Sequence, residues 1–214
     1  DPRVFKGVTS FGFRKTEKFR AKFIIESIQD LKKSLQSLGS DLYVRIGHPE
    51  DEIAALARDI KSSWIFCNRE RTQEEVEVQD ALEHNLWTFG QEMRYSRGKM
   101  LYYTADLPFP ITQTPDTFTQ FRKEVEKFVP VREPLSAPTS SFYPISRDIE
   151  YGRVPSMTDL GYDDLDTNDA GGYQWVGGET EALRQLDYYL WQTDHIANYK
   201  ETRNGLLGRD FSSK

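Results

Sequence analysis

Asp41-Leu42-Tyr43-Val44-Arg45-Ile46-Gly47-His48-Pro49, followed by Ile53, Leu56 and Ile60 and then by Trp64-Ile65-Phe66-Cys67, is the stretch that decides the fold class. Leu42, Val44 and Ile46 alternate with Tyr43 and Arg45, the period of a strand. Gly47-His48-Pro49 then turns the chain, and the spacing of Ile53, Leu56 and Ile60 predicts a helix. Trp64 to Cys67 is too short for a helix and reads as a buried strand. Strand, helix and strand in succession indicate a parallel sheet covered by helices.

The same alternation extends both ways. Upstream, Ile24, Ile28, Leu31, Leu35 and Leu38 recur in steps of four and three, predicting a helix over Phe19 to Leu38 with Gly39 as its stop. Downstream, Ala81, Leu82, Leu86 and Phe89 form the inward face of a helix over Gln73 to Phe89, and Met93 to Tyr95 is a candidate strand after Gly90. A chain opening on helix lacks the strand that a βαβ unit needs there, so a first strand is expected to be missing.

After Leu101 the texture changes. Leu107-Pro108-Phe109-Pro110 is a non-helical turn, and a helix over Phe118 to Phe128 presents Phe118, Phe121, Val125 and Phe128 before Pro130 ends it. Val131 to Gly172 is rich in Pro, Ser, Asp and Gly with little periodicity, the texture of an inter-domain connection. A new helical unit follows Gly178-Glu179, with Ala182, Leu183, Leu186 and Leu190 inward. The organisation is therefore an α/β part over 1–130, an inter-domain connection over 131–172 and a new helical unit over 173–214.

Composition excludes several classes. No run approaches a membrane span and no signal peptide opens the chain, so a soluble, cytoplasmic protein is expected, or an organellar one if the source is eukaryotic. The single cysteine, Cys67, cannot form an intrachain disulfide and reads as a buried, inert thiol. A net charge of -6 argues against this stretch alone neutralising nucleic-acid phosphates. His48, His84 and His195 are scattered and build no metal site, and no nucleophile elbow, Walker loop or dinucleotide fingerprint is present.

Three places hold candidate chemistry. Asn68-Arg69-Glu70-Arg71 lies just past the end of a strand, where open α/β sheets bind ligands, although a charged loop capping the next helix has the same look. Glu26 is a lone carboxylate on an apolar helix, a candidate ligand or a side chain that snorkels to water. Tyr199 to Lys214 is dense in cations, hydroxyls and glycines: Gly205 and Gly208 allow close backbone approach, Ser212 and Ser213 can donate, and Lys214 supplies charge to a phosphate. By composition it is equally a plain polar loop.

The stretch Tyr199 to Lys214, YKETRNGLLGRDFSSK, resembles the start of the flavin pocket of DASH-type cryptochromes, a branch of the photolyases. Gly177-Gly178-Glu179, Asp106-Leu107-Pro108-Phe109, Phe118-Thr119-Gln120-Phe121-Arg122-Lys123-Glu124-Val125-Glu126, Gly47-His48-Pro49-Glu50 and the segment Arg20 to Leu38 share the resemblance, which spares only Val131 to Gly172. It implies an incomplete chain: a photolyase-type α/β domain, a long linker and the start of an all-α FAD-binding domain. It implies FAD contacts by Tyr199, Ser212, Ser213 and Lys214, and a 5,10-methenyltetrahydrofolate antenna near Glu26 or Asn68 and Glu70, where a carboxylate can accept two N–H bonds from a pterin amide edge. The implied activity is light-driven repair of cyclobutane pyrimidine dimers, mainly in single-stranded DNA, by a monomer; the alternative is a flavin-based light receptor without repair. No catalytic residue is expected within the chain. Trp64, Trp87, Trp175 and Trp191 read as packing aromatics rather than a redox chain.

Overall fold

The computed structural model describes residues 1–139, 148–163 and 176–205. These fall into two compact units: one built on residues 1–46 with the described residues from 148 onward, the other on residues 47–139.

In the second unit the expected parallel pairing is present. Strand β1 (Trp64–Asn68) pairs in parallel with β2 (Glu92–Ser96), Trp64 opposite Glu92 and Asn68 opposite Ser96. Helices α3 (Pro49–Asp59) and α4 (Gln73–Trp87) supply one covering layer. Pro49 and the acidic residues Glu50, Asp51 and Glu52 suit the first turn of α3, where an N–H is unneeded and negative charge is favoured. The core comprises Ala54 and Ala57 from α3, Leu82 and Leu86 from α4, and Met93 from β2, with Ile65 and Cys67 packed against them. Buried Gln91 donates to the carbonyls of Ala57 (2.8 Å) and Ser62 (2.6 Å), tying the end of α3 to the start of β2. Outside this layer, α5 (Phe118–Phe128) begins on Thr117, whose hydroxyl accepts from the Gln120 amide, and buries Val125.

Helices α3 and α4 end on the same device. Ser62 N bonds Ala57 O and Lys61 N bonds Arg58 O; Gln91 N bonds Leu86 O and Gly90 N bonds Trp87 O. In each pair a residue of positive φ closes the turn, Lys61 at 54° and Gly90 at 70°. Lys61 takes this conformation with a side chain, against the steric preference that favours glycine there.

Several expected burials are corrected. The expectation that β1 is buried fails on one face: Ile65 and Cys67 point into the core, while Trp64 and Phe66 are exposed, Phe66 at 75%. Period two places alternate side chains on opposite faces, and the described layer covers only one. Ala81 and Phe89 are exposed for a related reason, because Leu82 and Leu86 define the inward line of α4. Phe118 and Phe128 are exposed at the ends of α5, whereas Phe121 meets Phe109 edge-on at 5.8 Å. Trp64, Trp87 and Trp191 are exposed, Trp64 lying edge-on to Phe66 and under Arg94, and Trp175 lies outside the described residues.

In the first unit, the short helix α1 (Pro2–Lys6) is followed by a bridge between Val8 and Arg14 and then by α2 (Lys18–Ser37). Gly39 at φ 78° ends α2 where the sequence predicts, with Ser40 N bonding Leu35 O and Gly39 N bonding Gln36 O. The buried line of α2 is Ala21 and Ile25, one position away from the predicted stripe; Leu31 is exposed. Ala21 and Ile25 pack against Leu160 and Tyr162.

The expected strand over 41–46 does not form among the described residues. Alternation decides which side chains share a face, but a ladder also needs a partner backbone. The segment makes one such long-range bond, Val44 N to Tyr151 O at 2.9 Å, beside a Tyr43–Tyr151 ring stack at 4.9 Å.

Gly177 and Gly178 open α6 (Glu179–Asp187), which runs into a π-helical turn over Tyr188–Gln192; α7 (Tyr199–Thr202) follows. A Cβ on Gly177 would stand 2.1 Å from Phe23 O, and Gly178 has φ 111°, so both positions need glycine. The expectation that Ala182, Leu183 and Leu186 point inward is corrected: all three are exposed, and Tyr189 of the π turn is the buried residue.

Candidate functional site

Strands β1 and β2 end side by side, so the chain leaving each one contributes to a single polar loop pair. Arg69 N donates to Ser96 O at 2.9 Å, extending the ladder one residue past β1. Ser96 Oγ donates to Asn68 Oδ1 at 2.7 Å, and Lys99 forms an ion pair with Glu70 across the two loops. Asn68 and Glu70 are thus brought together, two residues apart on one loop. Asn68 accepts from Ser96 at Oδ1 and carries two amide N–H donors, while Glu70 carries a carboxylate, so the pair offers donor and acceptor together.

Arg69, between them, faces the other way. Its guanidinium lies over the Tyr95 ring at 4.8 Å and reaches Asp80 at 3.3 Å. Burial, then the nearby Glu83, pushes the Tyr95 phenol above its ordinary value, and its hydroxyl donates to Glu83 at 3.3 Å. Cys67, half-buried at the last turn of the core, has its thiol raised first by burial, which disfavours the thiolate. That agrees with an inert thiol.

Sequence reasoning missed Gln79. It is 8% exposed, donates from Nε2 to Asn68 O at 2.8 Å and accepts at Oε1 from Glu70 N at 3.1 Å. The signal was present: Val76, Gln79, Leu82 and Leu86 share one line of α4, and an amide in an apolar stripe needs partners.

The remaining candidates sit elsewhere. Glu26 accepts from Gly177 N at 2.9 Å and pairs with Lys22 at 3.1 Å, so its carboxylate is already engaged on α2. One turn on, Asp30 takes both Thr180 N (3.1 Å) and Thr180 Oγ1 (2.8 Å), and the Thr180 amide holds its carboxyl below the ordinary value. Tyr199 opens α7 and is 42% exposed. Ser212, Ser213 and Lys214 lie outside the described residues. His48 caps the start of α3 as a turn residue.

An apolar cleft of about 280 Å³ also exists in the first unit, lined by Ile24, Ile28, Val44, Ile46 and Leu160. Its charged lining includes Asp1 and Asp159, which are already paired with Arg3 and Arg153, whereas the Asn68–Glu70 loop lies at the end of a parallel strand, where open α/β sheets bind ligands. Among the described residues no three His, Cys, Asp or Glu side chains cluster to hold a metal, and no helix is long and apolar enough to cross a membrane.

Residues 3–139 match the family model described as DNA photolyase. The chain belongs to the DNA photolyase family. Within it, the similarity runs to the cryptochromes. The chain is 42% identical over its whole length to a cryptochrome DASH of Gloeobacter violaceus, spanning 42% of that protein, and 36% identical to a blue-light photoreceptor of Arabidopsis thaliana, spanning 48% of it. A crystal structure of a Synechocystis cryptochrome superposes with a TM-score of 0.90 at 38% identity, covering all of this chain and 44% of the other. The photolyase-family chain thus spans less than half the length of these relatives, and its fold is the helix-covered parallel sheet of their α/β part.

Proposed function

We propose that this chain serves, within a protein of the relatives' length, as the α/β domain and the beginning of the FAD domain of a DASH cryptochrome that repairs cyclobutane pyrimidine dimers in single-stranded DNA. The observation that carries the reading is the whole-chain identity of 42% to a cryptochrome DASH. On this reading residues 1–130 are the α/β domain, 131–172 the inter-domain linker and 173–214 the start of the helical domain, and the chain itself holds no catalytic residue. Reduced FAD, once bound and excited by blue light, supplies the electron that splits the dimer. Tyr199 contacts the flavin nucleotide, and Ser212, Ser213 and Lys214 begin the loop that takes its phosphates. Single-stranded substrate is favoured because a target base costs least to extrude there.

The antenna reading rests on Asn68 and Glu70. A reduced folate such as 5,10-methenyltetrahydrofolate harvests light, and its pterin amide edge presents the N–H groups that a carboxylate accepts and a carbonyl that an amide N–H can reach. The loop supplies both from a pair already held in place by Ser96, Lys99 and Gln79. Glu26 is the alternative carboxylate, with part of its accepting capacity already taken by Gly177 N and Lys22. The protein is read as a monomer of the cytoplasm, or of an organelle in a eukaryote, with DNA met through the helical domain.

Blue-light repair of a dimer-containing oligonucleotide by the flavin-loaded protein at the relatives' length tests the enzymatic reading. Light-dependent loss of dimers in single strands is expected. A flavin-loaded protein that repairs none refutes it and favours the second reading, a light receptor, to which the name of the Arabidopsis relative points.

A further inference from the structure

The peptide groups on either side of Arg69 are held by one side chain. Gln79 reaches out of α4, donates to the carbonyl of Asn68 and accepts from the amide of Glu70, and its Nε2 also lies 3.7 Å from Cys67 Sγ. In shape this is what a neighbouring strand's backbone does for a residue in a sheet: one donor and one acceptor, offered together at fixed spacing. Past the end of β1 there is ladder on the β2 side only, through Arg69 N and Ser96 O. Gln79 supplies the other side. A side chain this buried is committed to its partners, because either group left unpaired away from water carries a desolvation penalty.

We propose that Gln79 is the positioning residue of the β1–α4 loop: it sets the spacing at which the Asn68 amide and the Glu70 carboxylate face a ligand, without touching that ligand itself. This rests on the antenna reading above for the identity of the ligand, and on the loop geometry alone for the positioning. Two devices then fix the loop from opposite sides. Ser96 and Lys99 restrain the side chains of Asn68 and Glu70, and Gln79 restrains their backbone. Arg69 between them stacks on Tyr95.

The test uses two variants. Gln79→Leu keeps the volume and removes both bonds; Gln79→Glu keeps the acceptor for Glu70 N and removes the donor to Asn68 O. Three readouts are taken: amide hydrogen exchange at Glu70, with Met93 in β2 as the internal reference, saturable binding of 5,10-methenyltetrahydrofolate followed by the pterin absorption band, and the melting temperature. Removing both bonds is expected to raise Glu70 exchange about tenfold or more relative to Met93 and to weaken folate binding by a similar factor. In Gln79→Glu the Glu70 amide stays protected while folate binding falls part of the way. Unchanged Glu70 exchange and unchanged folate affinity in a folded Gln79→Leu overturn the positioning role and leave the antenna reading intact. An unmodified protein that binds no pterin overturns the ligand assignment, and exchange at Glu70 in Gln79→Leu then decides the positioning role by itself: raised exchange supports it and unchanged exchange overturns it. Should Gln79→Leu fail to fold, Gln79→Glu decides: loss of protection at Glu70 equal to that at Met93 overturns the proposal.

Discussion

Leu86 and Trp87 are adjacent on α4, and the structure assigns them opposite weights. Leu86 is completely buried among Ala54, Ala57, Leu82 and Met93, whereas Trp87 is 79% exposed. Truncating a buried leucine to alanine removes its transfer energy and leaves a cavity, together costing about 2–5 kcal/mol. The walls facing Leu86 include the short Ala54 and Ala57 side chains on a helix whose C-terminal end is tied down by Gln91, so they cannot follow into the gap. A cost near 3 kcal/mol is therefore expected, in the middle of that range. For a cooperative unit of about a hundred residues, 1 kcal/mol moves the melting temperature by roughly 4–8 °C, so Leu86→Ala should lower it by ~12 °C or more. Trp87→Ala, on the exposed side, should stay within about 0.5 kcal/mol of the parent. Urea denaturation of both variants, read by circular dichroism, measures the difference. A Trp87→Ala cost equal to or above that of Leu86→Ala would refute the assigned face of α4, and with it the direction in which Gln79 points.

Three further outcomes follow from single features. Lys61 closes α3 at φ 54°, so Lys61→Gly relieves strain and should raise stability by about 0.5–1 kcal/mol in the same denaturation assay. Gly177→Ala drives a Cβ to 2.1 Å from Phe23 O, and α6 should detach from α2, with limited proteolysis near 177 appearing while Leu86-side stability is unchanged. Burial raises the Tyr162 phenol, whose hydroxyl lies within bonding distance of the carbonyls of Phe5 (2.6 Å) and Thr16 (2.9 Å). A raised folded value means the contribution is whole below the unfolded value near pH 10 and is lost as pH rises through the folded one. Alkaline melting curves should therefore fall above about pH 10, less steeply in Tyr162→Phe, and equal slopes would contradict this.

Legibility in the sequence followed the physics of each signal. Helix ends carried by a local device were readable to a residue or two: Gly39 stops α2, and Pro130 follows the end of α5 at Phe128. The parallel direction of β1 and β2 was readable, since strands joined through a helix pair in parallel. What failed was the 41–46 strand and the burial of both faces of β1, which depend on what lies opposite. The alternation at 41–46 is present, yet a ladder belongs to two chains, and Trp64 and Phe66 look buried only if both faces of the strand are covered. The site was half legible. Position past a strand end picked out Asn68 and Glu70, because topology concentrates ligands there. The place of Gln79 on the Val76–Leu82–Leu86 line was readable, but its partners, Asn68 O and Glu70 N, were not, because they depend on how α4 packs against the end of β1.

The claim that matters most is that Asn68 and Glu70 form a pterin site. Titration of 5,10-methenyltetrahydrofolate against the parent protein, Glu70→Gln and Lys99→Met tests it most directly. The parent should bind one equivalent saturably. Glu70→Gln should bind about tenfold or more weakly, because a charge-assisted pair of hydrogen bonds is lost, and Lys99→Met should fall between that variant and the parent, because the carboxylate remains while its restraint is lost. Equal affinity of Glu70→Gln and the parent, or no saturable binding by the parent, would contradict the account.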